Sequence, residues 1–147
     1  MLTNNFLAVL QSVFLLGQKD KCLAAKDTLG GSYGYGMENL RNQQCMKIGT
    51  GTTLPKRTDF ALEEAIPESS YVATFNIITV TDYTCENGLL TLQGAFTNKS
   101  DEDLSVTEFG AFGSFYSDRN YMYAREVLNT PVIIAPGETK TFNIQLF

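Results

Sequence analysis

The sequence contains no histidine and no tryptophan, and only 3 of its 147 residues are cysteine. Without histidine the chain has no Ser–His or Cys–His nucleophile pair and no imidazole that could act as an acid or base near neutral pH. Zinc sites built on histidine are excluded for the same reason. These absences predict a protein that is not an enzyme and has no catalytic residues.

The three cysteines, Cys22, Cys45 and Cys85, are far apart and show no C-x-x-C spacing. A metal site that uses all three thiolates and a carboxylate is an alternative that the spacing disfavours. An odd number of cysteines fits reduced thiols and a chain assembled in a cytoplasm, although one disulfide with one free thiol is also compatible. We therefore expect neither a metal nor a cofactor.

The chain lacks a concentrated positive charge and a long apolar run. Its net charge is −5, and its lysines and arginines do not cluster. Binding to nucleic acid requires a concentrated positive face, so a nucleic-acid partner is not expected. No run of about eighteen apolar residues is present, so we expect no membrane span and no membrane partner.

Residues 1–20 are predicted to form an N-terminal apolar arm or helix. Apolar residues between positions 4 and 16 recur at three-to-four spacing, which favours a short helix. A signal peptide lacks support because no positively charged region precedes the run, and a strand over the same residues is a further alternative. Phe6, Leu10 and Phe14 are the candidate assembly interface; packing in the chain's own core is the alternative for these residues.

Residues 21–147 are predicted to form one β-sandwich domain. Seven or eight strand candidates are separated by turn signals about every eight to twelve residues, a pattern typical of an antiparallel sandwich, immunoglobulin-like or jelly-roll-like. The longest candidate, Tyr71–Tyr83, carries apolar residues at both parities, which predicts a central strand. The next, Leu89–Asn98, follows the hairpin signal Asn87-Gly88.

The C-terminal stretch predicts a hairpin of about fifteen residues. Apolar and polar residues alternate from Thr141 to Leu146, as in a strand with one buried face. Pro136 and Gly137 fit the two central positions of a type II turn. The β-branched run Val132–Ile134 precedes this turn and supplies the first strand.

Aromatic residues crowd around a predicted loop. Gly110 and Gly113 in this region suggest a bulge or a close approach of the backbone. Phe115, Tyr116 and Tyr121 are the candidate exposed contact loop for a protein or glycan partner, because such side chains supply large rigid contact areas. Packing in the sandwich core and along a strand edge is the alternative. The crowded aromatics are Phe109, Phe112, Phe115, Tyr116, Tyr121 and Tyr123.

Two groups of carboxylates have a functional alternative. The turn Asp101–Asp103 offers oxygen ligands for calcium, but a solvated connection between strands is the favoured interpretation. The side chains of Glu63, Glu64 and Glu68 are the only candidates for an enzyme that uses carboxylates alone. Nothing in the sequence sets their separation, so this alternative stays weak.

Three phrases in order carry a resemblance to a known group of proteins. The chain resembles small virion proteins of tailed bacteriophages that are encoded among head and tail structural genes. The phrases are Met46–Pro55 leading into Asp59–Glu63, then Val106–Gly113, and last Ala124–Val132 with Ile134–Phe142.

The resemblance implies a structural subunit of the capsid, neck or tail that has no catalytic residues. Its partners would be itself and other virion structural proteins, and it would be located in the virion after synthesis in the bacterial host cytoplasm. The alternative is a carbohydrate- or surface-binding module displayed on the particle, with a host-surface glycan as partner. The absence of tryptophan counts modestly against this alternative.

Overall fold

The computed structural model describes residues 1–4, 6, 25–26, 28, 32–33, 41–79, 90–116 and 119–145. This part of the chain is mainly β with almost no helix, as predicted. In these described ranges a 3-10 turn spans Glu68–Ser70. The strands are β1 Ala25–Lys26, β2 Ser32–Tyr33, β3 Arg41–Gly49, β4 Tyr71–Thr79, β5 Leu90–Asn98, β6 Leu104–Tyr116, β7 Arg119–Ile134 and β8 Thr139–Gln145.

The strands form two three-stranded antiparallel sheets, with the order β3-β6-β7 in one and β4-β5-β8 in the other. We call them the β6 sheet and the β5 sheet after their central strands. Strands β1 and β2 pair separately. Two short bridges extend the β6 sheet: Leu2 pairs with Ala124 on β7, and Ala65 pairs with Gly49 on β3.

The inward faces of the two sheets share one hydrophobic core. Alternate residues of each strand point into it, because successive side chains of a strand lie on opposite faces. The rings of Phe109 and Phe142 meet across the sheets with centroids 5.0 Å apart, and Phe96 packs edge-on against Phe142. The arrangement is sandwich-like. Its largest fully buried apolar side chains are Met46, Ile48, Phe96, Val106, Ile134 and Ile144.

The outward face of the β6 sheet is also covered. Residues 51–66, which we call the strap, have no helix or long strand and lie over this face. Leu62 of the strap packs with Phe112 and Met122 in a second small core, against which Cys45 also lies. Because both faces are covered, β6 and β7 bury residues of both parities.

The predicted C-terminal hairpin is wrong in its pairing. The turn itself is as predicted: Gly137 has a φ of +74°, and the backbone N–H of Glu138 donates to the carbonyl of Ala135 at 2.9 Å. However, β7 pairs with β6, and β8 pairs with β5. The turn therefore carries the chain from one sheet to the other.

Asn98 explains why the chain crosses between the sheets at this turn. Its backbone N–H donates to the carbonyl of Glu138, and its carbonyl accepts from the N–H of Gly137. Its buried side-chain amide donates to the carbonyl of Ile134 at 2.8 Å. These hydrogen bonds hold the turn at the end of β5, so the strand that follows pairs with β5.

The predicted central position of the strand beginning at Tyr71 is also not observed. Within the described residues, β4 lies at the edge of its sheet and pairs only with β5. The register runs from Tyr71 opposite Asn98 to Thr79 opposite Leu90 without a shift. The strands pair as a hairpin would, but the signal Asn87-Gly88 lies outside the described residues.

The predicted close approach of the backbone in β6 is confirmed at Gly113. A Cβ atom added there would lie 2.1 Å from the hydroxyl oxygen of Tyr123, so a larger residue would have to displace the Tyr123 ring. The pairing of β6 with β7 is irregular, and the largest shift falls between Val106 and Glu108. Pro131 lies in the extra length of β7 at this shift, where its missing N–H does not interrupt a regular ladder.

Candidate contact surface and buried polar cluster

The outward face of the β5 sheet carries no charged residue in its described part, and we call it the uncharged face. Burial alternates along β5 and β8, and the register carries the same face across to β4, so these residues point away from the core. About a quarter to a third of a typical protein surface is charged, so about three charges would be expected among eleven positions. The residues are Val72, Thr74, Asn76, Thr91, Gln93, Ala95, Thr97, Thr139, Thr141, Asn143 and Gln145.

Hydrogen bonds between strands order part of the uncharged face. The side-chain amide of Gln93 donates to the carbonyl oxygen of the Asn143 side chain at 3.1 Å. The hydroxyls of Thr97 and Thr139 lie 2.7 Å apart. Hydroxyl and amide groups both donate and accept hydrogen bonds, so the face offers polar contacts without a fixed charge.

The strand β4 forms an exposed border of this face. Val72 is 40% exposed, and both Ala73 and Thr74 are also exposed. Ala73 is exposed although its parity places it on the inward face. On that face, residues in the middle of β5 and β8, such as Phe96 and Phe142, are buried. Solvent therefore reaches both sides of β4 at Ala73, between the buried Tyr71 and the half-buried Phe75.

A buried polar cluster lies on the opposite sheet, under the strap. Glu108 has no exposed surface and Arg125 is 2% exposed. The Nε atom of Arg125 donates to Glu108 at 2.7 Å, and a terminal nitrogen donates to Asp59 at 2.9 Å. The other terminal nitrogen lies 3.4 Å from Glu63, a weaker contact. One guanidinium thus joins two strap carboxylates to β6.

The carboxylate of Glu108 also holds the strap backbone. One oxygen accepts from the N–H of Gly51 at 3.2 Å and of Glu64 at 2.8 Å, and the other accepts from the N–H of Glu63 at 3.1 Å. A Cβ atom added at Gly51 would lie 2.7 Å from this carboxylate, so a larger residue would displace it. The buried charge is therefore paired and fully hydrogen-bonded.

Local hydrogen bonds shift the pKa values of this cluster. Burial opposes the charge of Arg125, but its hydrogen bonds to Glu108 and Asp59 outweigh burial and raise its pKa. The backbone N–H and then the hydroxyl of Thr53 donate to Glu63 and lower the pKa of that carboxyl. Both groups stay charged at neutral pH, which suits an electrostatic clamp that holds a loop.

The predicted assembly residues are only partly described. The side chain of Phe6 is half-buried, and its backbone N–H donates to the carbonyl of Thr3 at 3.1 Å. Asn4 and Phe6 have helical backbone conformation. Leu10 and Phe14 lie outside the described residues, as do residue 5 and the other residues of 7–20 in the predicted arm. The assembly role of all three residues stays a prediction.

The predicted contact loop is a pair of strands. Phe115 and Tyr116 lie at the end of β6, and Tyr121 lies in β7. Tyr121 is 3% exposed, so the prediction that it is an exposed loop residue is wrong; the strand places it in the interior. The exposure of the Phe115 and Tyr116 side chains is outside what the structure describes.

The candidate carboxylates have local partners. The Glu64 side chain accepts from the hydroxyl of Thr50 at 2.8 Å, and Glu68 pairs with Lys47. Residues 101–103 are exposed in the turn between β5 and β6. In the described ranges no group of three or more His, Cys, Asp or Glu residues could hold a metal ion.

Among the cysteines, burial raises the pKa of the Cys45 thiol, which is free and half-buried. Cys22 and Cys85 lie outside the described residues.

The sequence reasoning did not identify Glu108 and Arg125 as a pair. A signal was present for Glu108, which is the one charged residue of Leu104–Tyr116, because a charged residue in a strand is seldom buried unless it is paired. Arg125 stands next to Glu126 in the sequence and gave no such signal. Glu108 and Arg125, together with Gly51, Asp59 and Glu63, fall within the three phrases on which the resemblance rests. The phrases therefore meet in space at one cluster.

Searches of protein-family models, of curated proteins and of solved structures find no match to this chain. Within the part of the chain that the structure describes, no helix has the length and apolar character needed to cross a membrane.

Proposed function

We propose that this chain is a non-enzymatic structural subunit of a tailed-bacteriophage virion, in the capsid, neck or tail, and that it acts through contacts between subunits. The resemblance of its three phrases to small virion proteins supports this proposal. The three phrases come together at the buried polar cluster under the strap, where Arg125 forms ion pairs with Asp59 and Glu108 and so joins the strap to the β6 sheet. These residues therefore maintain a shape, which is what a subunit requires.

The observation that carries the proposal is the uncharged face. The centres of protein–protein interfaces are depleted of charged residues, while surfaces that remain in water are rich in them. The chain as a whole is acidic, with a net charge of −5. A face of three strands that carries no charge is therefore suited to contact with a neighbouring subunit.

We further propose an immunoglobulin-like or jelly-roll-like sandwich as the fold type. The chain crosses from the β5 sheet to the β6 sheet between β5 and β6 and crosses back between β7 and β8. Connections of this kind between sheets are typical of sandwiches. Such a domain would present its two outward faces to different neighbours. In this chain the strap covers the outward face of the β6 sheet, so the uncharged face of the β5 sheet is the one available for contact.

The proposal is tested by the protein content of purified particles. The phage that encodes the chain is grown, its particles are banded twice by density and washed at high salt, and tryptic peptides are identified by mass spectrometry. Cleavage after Arg125 and Lys140 gives the peptide Glu126–Lys140. We expect this peptide in the band together with the major capsid protein. Its presence only in the soluble lysate would contradict the proposal.

A second candidate function is binding of a host-surface glycan by the same face. The hydroxyl and amide groups of Gln93, Thr141 and Asn143 offer the hydrogen bonds that sugars use. A glycan array probed with the chain would show specific binding that Asn143→Ala removes. No binding at any glycan would leave the structural role as the sole proposal.

A further inference from the structure

The strand β4 combines an edge position with the composition of a central strand. It has nine residues and contains no charged residue, no proline and no glycine. Its pairing with β5 has no bulge. Natural edge strands usually avoid further pairing through charges, prolines, bulges or short length. The described part of β4 has none of these features.

The other edge strand of the same sheet differs from β4. Strand β8 has seven residues and carries Lys140, which has the parity of the inward face and forms an ion pair with Glu138. An inward-pointing lysine on an edge strand is a known obstacle to pairing with another chain. In the described part of the chain, β4 is therefore the edge of the β5 sheet without such an obstacle to an additional strand.

The backbone of β4 has unpaired capacity in the described structure. Between Tyr71 and Thr79, the only backbone pairing within the described residues is with β5. Every second N–H and C=O of the strand therefore points away from the sheet. Val72, Ala73, Thr74 and Asn76 are exposed, so the side chains of this part of the strand do not block the edge.

A second copy of this chain fits this edge. Each copy carries a net charge of −5, so most surfaces of two copies repel. The edge β4 and the uncharged face beside it are regions where two copies can approach without contact between like charges. An antiparallel strand edge is also complementary to itself around a two-fold axis, because its donors and acceptors exchange places.

We infer that two copies of this chain pair antiparallel through β4, with a two-fold axis at Phe75. This register pairs all nine residues and places Thr74 of each copy opposite Asn76 of the other. The two β5 sheets then form one six-stranded sheet, and the uncharged face continues across both copies. The inference rests on the proposed role as a subunit that acts through contacts, and it specifies one of those contacts.

The register makes the inference testable by charge. In the double variant Thr74→Lys/Asn76→Lys, lysine lies opposite lysine at both symmetric positions. In Thr74→Lys/Asn76→Glu, lysine lies opposite glutamate at both positions. Like charges directly opposite each other destabilise a strand pair, and opposite charges stabilise it. Both substituted positions, Thr74 and Asn76, are exposed and point outward, so the folded monomer should tolerate these variants.

The mass in solution is measured by light scattering and sedimentation over a concentration series. For the unaltered chain we expect a rise from the 16.3 kDa of one chain to twice that value at micromolar concentrations. Thr74→Lys/Asn76→Lys should raise the dissociation constant of the dimer at least about tenfold. Thr74→Lys/Asn76→Glu should leave the dimer intact.

The matched control is Thr141→Lys/Asn143→Lys on β8. Thr141 lies in the same cross-strand row as Thr74, and Asn143 in the same row as Asn76, at the other edge of the sheet. This control should dimerise like the unaltered chain, and thermal unfolding should show that each variant is folded.

Four outcomes would overturn the inference: an unaltered chain that stays at one copy or exceeds two, a dimer insensitive to the Lys/Lys variant, a Lys/Glu variant that dissociates, or a control that dissociates. None of these outcomes would change the detection of the chain in purified particles, so failure of the dimer and failure of the proposed function are distinguishable.

Discussion

Glu108 and Arg125 are charged side chains with almost no exposure, and each depends on the other. Removing a charge from water costs several kcal/mol per ion, a cost that pairing and hydrogen bonds must offset. Glu108 meets this condition through three strap N–H groups and Arg125. The pair therefore fixes the position of the strap. Removing either residue should lower the free energy of unfolding.

Replacing Arg125 by methionine should lower the free energy of unfolding by about 3 to 5 kcal/mol, because it leaves the buried charge of Glu108 without its partner. Urea unfolding followed by circular dichroism measures this change. The control Lys99→Met alters an exposed lysine and should stay within about 0.5 kcal/mol of the unaltered chain. Equal stability of the Arg125 and Lys99 variants would show that the pair does not hold the strap.

Tyr71 should make the fold sensitive to alkali. Burial raises the pKa of its hydroxyl from 10.0 to about 12. Because the neutral form is favoured in the folded state, the stabilisation is complete below about pH 10 and is lost as the pH rises through 12. The loss corresponds to about 2 to 3 kcal/mol.

Tyr71→Phe removes this titration. The free energy of unfolding of this variant, relative to that of the unaltered chain, should therefore rise between pH 9 and pH 12. A difference between the two chains that does not change with pH over this range would contradict the burial of the Tyr71 hydroxyl.

At the scale of elements, the strap is the part of the structure that sequence reasoning could least predict. Alternation and turn residues are local signals, so the range of β5 and the type II turn at Pro136-Gly137 were predictable. The pairing of β8 with β5 and the docking of the strap depend on residues such as Asn98 and Glu108. Their partners lie from 17 to 57 positions away along the chain, where no local pattern reaches.

The edge position of β4 could not be predicted for a similar reason. Apolar residues at both parities are typical of a strand covered on both sides, and a sequence does not show whether the cover comes from its own chain or from another. The uncharged face, by contrast, could be predicted in part. The alternation of threonine, asparagine and glutamine along β5 and β8 is visible in the sequence, but its continuity across three strands appears only when their register is known.

The strap should loosen in acid. Hydrogen bonds from Thr53 and Thr52 lower the pKa of the Glu63 carboxyl, so its contribution to stability is present above the pKa of the unfolded chain, about 4.5, and is lost as the pH falls through the lower folded value. Amide hydrogen exchange at Thr52 and Thr53, followed by NMR, should therefore lose protection below about pH 4.5, beyond the ordinary pH dependence of exchange.

The matched variant for this experiment is Glu63→Gln. It keeps the shape of the side chain but removes the charge, so these two amides should be less protected at neutral pH and should show no further acid-dependent loss. Protection in the unaltered chain that is unchanged down to pH 3 would contradict the role of Glu63 in fixing the strap.

At the scale of the whole molecule, the two sheets have different surroundings. The strap closes the outward face of the β6 sheet through a clamp of charges, whereas the outward face of the β5 sheet is open, regular and uncharged. In the proposed function, this uncharged face is the surface through which neighbouring subunits make contact. Function through repeated contacts requires many copies in one assembly.

The number of copies per particle tests this account most directly. A known amount of isotope-labelled peptide Glu126–Lys140 is added to purified particles that have been counted by electron microscopy, and the ratio of unlabelled to labelled peptide gives the copy number. The account predicts several copies per particle, with the same number in every preparation. Fewer than one copy per particle, or a number that varies between preparations, would contradict it.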